Sequence, residues 1–353
     1  MQIDKDTVVV ITGASGGVGR ATARLFADRG VKIVLLARGK EGLDGAKRDV
    51  EHRGGKALAV VADVSKYDQV QAAAEAAERE FGPIDLWINN AMVSMYSPFM
   101  KMTPEEFRHI VEVTFLGNVY GTRCALERMM PRDRGVIIQV GSALAFRSIP
   151  LQSAYCASKH AIQGFTESIR SELIHEKSNV RVSVVNMPAL NTTQFTWTKN
   201  KMPNKARPTG TIFQPEVAAD AILFCAENDR REIMVGYTTV EATLGEKVIP
   251  GMLDHYLAKA AWDGAMLPEP ADPNQPDNFW QPIPRDLGAH GQFDNVSRDF
   301  SIELWASKHR AGLLGGMLLA GAGLATYLFG KPSDQAAKQK QLAHAHTHNG
   351  GGR

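Results

Sequence analysis

The stretch TVVVITGASGGVGRATARLFADRG, residues 7–30, decides the fold. Its first six residues are β-branched throughout, which reads as a strand covered on both faces. A glycine turn follows, then ATARLFA with the spacing of a helix. Gly13, Gly17 and Gly19 permit a tight turn, a close approach of backbone to a bound group, and an anion held over the helix N-terminus. Strand, glycine turn and helix in that order mark a pyrophosphate site, with Gly13, Ser15, Gly17, Val18 and Gly19 as its candidate residues.

Outward from this unit the same alternation repeats. KIVLLA (32–37), KALAVV (56–61), DLWIN (85–89), GVIIQV (135–140), VRVSVV (180–185) and EIMV (232–235) are largely apolar runs separated by longer segments such as 66–81 and 103–130. Strands of this kind imply helices on both faces of a parallel sheet. The spacing predicts an α/β fold with a doubly wound parallel sheet, Rossmann-like, over residues 1–245.

Ligands of such sheets sit at the carboxyl ends of strands, so the residues just past each strand are candidates for contact. Asp63 follows the third strand and can accept a hydrogen bond from an adenine amino group; Asn89, Asn90 and Ala91 end the fourth. After the second strand an NAD site commonly places Asp or Glu on the ribose 2′-hydroxyl. Here Ala37 and Arg38 stand instead, and a cation suits a 2′-phosphate. NADP is therefore the expected cofactor and NAD the alternative.

A second stretch, GSALAFRSIPLQSAYCASKHA (141–161), carries the candidate chemistry. Tyr155 and Lys159 are four apart in a helical pattern, so they share one face a turn apart. A free phenol ionises near pH ~10, and a neighbouring ammonium favours its ionised form, which moves it toward the working range of a general acid or base. Ser142, at the end of the fifth strand, can hydrogen-bond a substrate oxygen on which charge develops.

Taken together, TGASGGVG, Asp63-Val64, NNA at 89–91, Ser142, YCASK at 155–159 and NMPALNT at 186–192 resemble the short-chain dehydrogenase/reductase family over roughly residues 5–240. The resemblance implies NAD or NADP bound at the turn and interconversion of alcohols and carbonyls. By position it implies Ser142 as substrate polariser, Tyr155 as acid/base, and Lys159 as tuner of the tyrosine and ligand of the nicotinamide ribose. Val64 and Ala91 fall among its cofactor contacts. Thr192, or less fittingly Thr193, would meet the carboxamide, and a homo-oligomer is expected. Three departures stand out. Thr114 occupies the place where many members carry the asparagine of a proton relay, with Asn118 one turn further on; Met92 replaces a glycine, and Ala189 another.

Composition bounds the rest. The 353 residues are 44% hydrophobic and 22% charged with a net charge of +2, which fits a globular chain and gives no basic excess for a nucleic acid. Cys124, Cys156 and Cys225 form neither a disulfide framework nor a zinc pattern, so no metal is expected. The start, MQIDKDTVVVITG, is too polar for a secretory signal, which points to a cytoplasmic catalytic part. Residues 246–305 include LPEPADPNQPDNFWQPI (267–283), too rich in proline for a regular core element, and read as an extension lying on the main domain. The uncharged AGLLGGMLLAGAGLATYLF (311–329) is about 28 Å long as a helix, close to the ~30 Å of a bilayer core. Residues 306–330 are thus a candidate transmembrane or anchoring helix, with a helix buried against a partner subunit as the alternative. Residues 331–353, with His344, His346 and His348, read as a disordered polar tail.

The sequence thus predicts an NADP(H)-dependent oxidoreductase acting on an alcohol or carbonyl. Met92, Met95, Phe99 and Trp197 suggest an apolar substrate. The alternative is a nucleotide-binding scaffold or sensor without turnover.

Overall fold

In the computed structural model, residues 1–329 and 338–339 are described. Seven parallel strands form the central sheet: β1 (Val8–Thr12), β2 (Lys32–Ala37), β3 (Lys56–Val61), β4 (Leu86–Asn89), β5 (Val136–Ser142), β6 (Arg181–Met187) and β7 (Glu232–Met234). Their spatial order is β7-β6-β5-β4-β1-β2-β3, with Ile11 opposite Leu35 and Ile88. The chain therefore reverses direction across the sheet between β1 and β4, and their carboxyl ends open a crevice there. Each predicted strand is present within two residues of its expected bounds. β1 is buried at every position, as its unbroken β-branched run requires. β3 is only partly covered because it is the sheet edge, and Val61 there is 59% exposed.

Helices α1 (Gly17–Ala27), α2 (Lys40–His52), α3 (Tyr67–Phe81), α4 (Pro104–Val111), α5 (Gly117–Met129), α6 (Ser153–His175) and α7 (Pro215–Glu227) cover the two faces. One apolar cluster packs α1, α2 and α7 on one face through Phe26, Leu43 and Ile222; the other packs α3 and α5 through Ala74 and Cys124 around Trp87. Thr103 and Glu106 cap α4 reciprocally, and α4 passes through a single π-helical turn, Glu112–Leu116, into α5. Such turns cost hydrogen-bond geometry and mark places where a helix is re-aimed near a site.

The extension is more ordered than its prolines suggest. Two helices the sequence reading did not anticipate, α8 (Tyr237–Val248) and α9 (Pro250–Gly264), follow β7. Met266–Pro270 forms an antiparallel ribbon with Asn204–Ala206, so part of the proline-rich stretch is a short strand. Proline is tolerated there because the ribbon is an isolated pair with open edges. The remainder, to Leu304, belongs to the same compact unit as the sheet. Phe279 is fully buried in the α3/α5 cluster, and Gln214 donates its amide to the Arg298 carbonyl at 2.9 Å.

A second unit begins at Trp305. Within it Arg310–Phe329 is helical, as expected. Among the described residues, however, no helix is long and apolar enough to cross a membrane, which corrects the expectation of a span at 311–329. Gly312, Gly315, Gly316 and Gly321 present no side chain to lipid, and they dilute the leucines between them. The His344, His346 and His348 cluster lies outside the described residues.

Candidate active site

At the carboxyl edge of the sheet one cavity of about 790 Å³ runs from the glycine turn to the end of β5. Ser142 closes β5 and Tyr155 stands in the first turn of α6, with Lys159 one turn on. Ser142 and Tyr155 both line the cavity, and the Ser142 oxygen accepts the Leu144 amide at 3.1 Å. Lys159 Nζ lies 5.5 Å from the Tyr155 ring centre and donates to the Val140 carbonyl at 2.6 Å. Leu151, four residues before the tyrosine, holds a left-handed φ of 70°, so the turn that aims α6 is strained.

The electrostatics differ from the simple pairing read off the sequence. Burial is the largest influence on both groups. It pushes the Tyr155 phenol above its ordinary range, against the opposing influence of the Ser142 hydroxyl, and pulls the Lys159 ammonium down to about 7. A lysine near pH 7 in the fold and near ~10.4 unfolded binds fewer protons when folded between those values, so stability rises with pH across that window. The burial cost is largest below pH 7, where the amine is charged in both states. We expect the melting temperature of the native chain to gain at least ~3 °C more than that of Lys159→Met between pH 6.5 and 9.5. Equal pH slopes for the two proteins would refute the depressed lysine.

The glycine turn is built as expected. Gly13, Ser15, Gly17 and Val18 line the cavity, and no side chain caps α1. Gly19 does not line it but makes the turn possible: a Cβ there would stand 2.3 Å from the Gly13 carbonyl oxygen. Asp63, Val64, Ala91 and Thr192 also reach the cavity. Thr193 lines it as well; it is buried, and its hydroxyl accepts from the Trp197 indole at 3.2 Å.

Three sequence-nominated residues are employed otherwise. Asn89 is buried away from the cavity, where its amide donates to Asn118, Thr122 and Gln139 and accepts the Trp87 indole. Its neighbour Asn90 faces the cavity and ties β4 to the turn, donating to the Thr12 carbonyl at 2.9 Å and the Gly13 carbonyl at 3.2 Å. Strand alternation alone, which turns successive side chains to opposite faces, was the signal that separates the two. Thr114, expected near a relay water, is fully buried; its hydroxyl accepts the Val93 amide at 3.1 Å and donates to the Val93 carbonyl at 3.0 Å. It anchors the loop after β4 and does not line the cavity. Arg38 lines the cavity, but its guanidinium donates to the carbonyls of Asn278, Phe279 and Trp280.

On the substrate side, α8 and α9 form a roof. Arg147 holds it down through Glu246 and Asp254, each at 2.6 Å. Leu253, Tyr256 and Leu257 of α9 line the cavity and have no counterpart in the sequence reading. Met92 and Trp197 line it as expected, whereas Met95 is sealed in the core and Phe99 is an exposed surface residue. Among the described residues no cluster of side chains suited to a metal ion is found.

A model of the short chain dehydrogenases matches residues 7–204. The chain is 35% identical over 273 residues to the uncharacterized oxidoreductase YxnA of Bacillus subtilis (strain 168), covering 77% of each protein. Its structure resembles a metagenomic short-chain oxidoreductase in complex with NADP, at 27% identity and a TM-score of 0.56, over 66% of this chain and 98% of that one. It also resembles a short chain dehydrogenase/reductase from Burkholderia phymatum in complex with NAD, at 25% identity and a TM-score of 0.63, over 77% and 99% of the two chains.

Proposed function

The chain belongs to the short-chain dehydrogenase/reductase family and is an oxidoreductase, and from that premise we propose that it transfers a hydride between NADP(H) and an apolar alcohol or carbonyl. The observation that carries this reading is the single cavity joining the glycine turn to Ser142, Tyr155 and Lys159. The residues present fit a dinucleotide: Gly13 and Gly17 put no side chain into the turn where a pyrophosphate would lie, Asp63 and Val64 line the part of the cavity assigned to the adenine, and Thr192 lines it beside the glycine turn. The bound nicotinamide supplies or accepts the hydride.

The remaining work falls to side chains. The substrate oxygen sits within reach of the hydroxyls of Ser142 and Tyr155, both of which line the cavity. In reduction Tyr155 donates its proton to that oxygen, and Ser142 stabilises the charge developing there. A phenol raised by burial is a reliable proton donor at neutral pH. In oxidation the proton returns to a phenolate, which the charged Lys159 stabilises from one helical turn away. Deprotonation of Lys159 above pH ~7 removes that support. Thr114 takes no part in recharging the tyrosine.

The apolar side chains of Leu253 and Leu257 in the roof favour an apolar substrate, because they gain from covering apolar surface. The test is oxidation of NADPH, and separately NADH, by the full chain against aldehydes and ketones of graded polarity. Turnover should favour NADPH and rise with apolar bulk. Turnover confined to small, highly polar carbonyls would overturn the substrate class. Tight cofactor binding with no turnover of any member would favour the scaffold reading, to which the engagement of Thr114 lends some weight.

A further inference from the structure

The C-terminal segment around 278–291 lies along the groove from the start of α2 to the glycine turn. Its carbonyls at Asn278, Phe279 and Trp280 hold the Arg38 guanidinium. Pro282 Cβ stands 3.2 Å from where a Cβ on Gly39 would be, directly before α2. Asp286 pairs with Arg20 of α1. The Gly288 carbonyl accepts the Gly17 amide at 3.3 Å.

Arg285 falls between the Pro282 and Asp286 contacts, and lines the cavity together with Ser15, Arg38 and Gly39. It is exposed, and its guanidinium makes no hydrogen bond or ion pair among the described residues. The carboxylate beside it, Asp286, is already paired with Arg20 and has Arg48 at 3.9 Å. Two cations thus border one corner of the groove. Arg38 keeps its charge, but three of its N–H groups are spent on main-chain carbonyls, whereas the fork of Arg285 is free. No Asp or Glu stands at positions 37–39 to accept from a ribose hydroxyl.

We propose that Arg285, carried by the C-terminal segment, binds the 2′-phosphate of NADP and sets the cofactor preference, while Arg38 positions the segment that carries it. This rests on the dinucleotide reading given above. A guanidinium with unspent donors meets a phosphate dianion through paired, charge-assisted bonds; one already saturated by carbonyls contributes field and little direction. The extension thereby becomes part of the cofactor site.

The test is the dissociation constant of NADPH and of NADH, measured by fluorescence on the full chain and on Arg285→Ala. Loss of a charge-assisted contact should weaken NADPH roughly ten- to a hundredfold, with NADH within about threefold. In parallel, 2′,5′-ADP should raise the melting temperature of the native chain more than that of the variant, while 5′-AMP acts on both alike. Equal losses for NADPH and NADH, or no loss for either, would overturn the assignment to Arg285 and leave the dinucleotide reading intact. A native chain that binds neither dinucleotide would sink that reading and this proposal with it. Should Arg285→Ala fold poorly, Arg285→Gln, which keeps length and removes charge, decides by the same ratio.

Discussion

Tyr155→Phe is expected to lower kcat by about 10³-fold while leaving the dissociation constant of NADPH within about twofold. General acid catalysis by a positioned side chain is worth roughly 10²–10⁴ in rate, and in this site no second acid stands ready to replace it. The other hydroxyl beside it, Ser142, is itself a poor acid, and Lys159 points its ammonium at the Val140 carbonyl. Phenylalanine keeps the ring and its place among the apolar side chains packed beneath α6, so the fold should survive. The measurement is steady-state turnover beside cofactor binding by fluorescence. Unaltered turnover in the variant would remove Tyr155 from the chemistry. Because kcat alone should collapse, the result also separates a proton donor from a residue that merely shapes the pocket.

Gly19→Ala should be the most damaging single methyl in the molecule for cofactor binding. The added carbon would lie 2.3 Å from the Gly13 carbonyl oxygen and 2.7 Å from the Asn90 amide nitrogen. The first of these is backbone, in a turn where Gly13 has a φ of 67° and is itself wedged against Ala91. Neither neighbour can retreat cheaply, so α1 must lift from β4 and the turn must open. Overpacking of this sort costs typically 1–3 kcal/mol of stability. NADPH affinity should fall by more than a hundredfold because the pyrophosphate cradle changes shape. Gly164→Ala is the matched control: it lies in α6 with open space around it, and alanine there should stabilise by about 0.5–1 kcal/mol. Calorimetry and cofactor titration of the two variants check the contrast; equal effects would show that the turn tolerates a side chain.

The legible parts of this protein share one property, which is that their geometry is set within a few residues. The β-branched runs gave the strands, and the glycines between the first strand and its helix gave the turn. The four-residue interval from Tyr155 to Lys159 gave a shared helix face. Asn89 and Asn90 mark the limit of such reading. Either side chain of adjacent strand residues can face the ligand, and the side-chain network built on Asn118, Thr122 and Gln139, far along the chain, selects Asn89 for the interior. Thr114 lies off the cavity, where Val93, twenty-one residues away, engages its hydroxyl. The apolar count at 311–329 found a helix, whereas among the described residues no helix is long and apolar enough to cross a membrane.

The sequence by itself determined the sheet, the position of the crevice and the serine, tyrosine and lysine beside it, because periodicity and turn chemistry are local and survive without knowledge of neighbours. Only the tertiary structure decided what the arginines do. Arg38 meets carbonyls some 240 residues later, and Arg285 reaches the groove only because its segment is pinned to α1 and α2. A charge has no periodicity to betray its partner, and its role follows from which distant groups folding brings within hydrogen-bond reach.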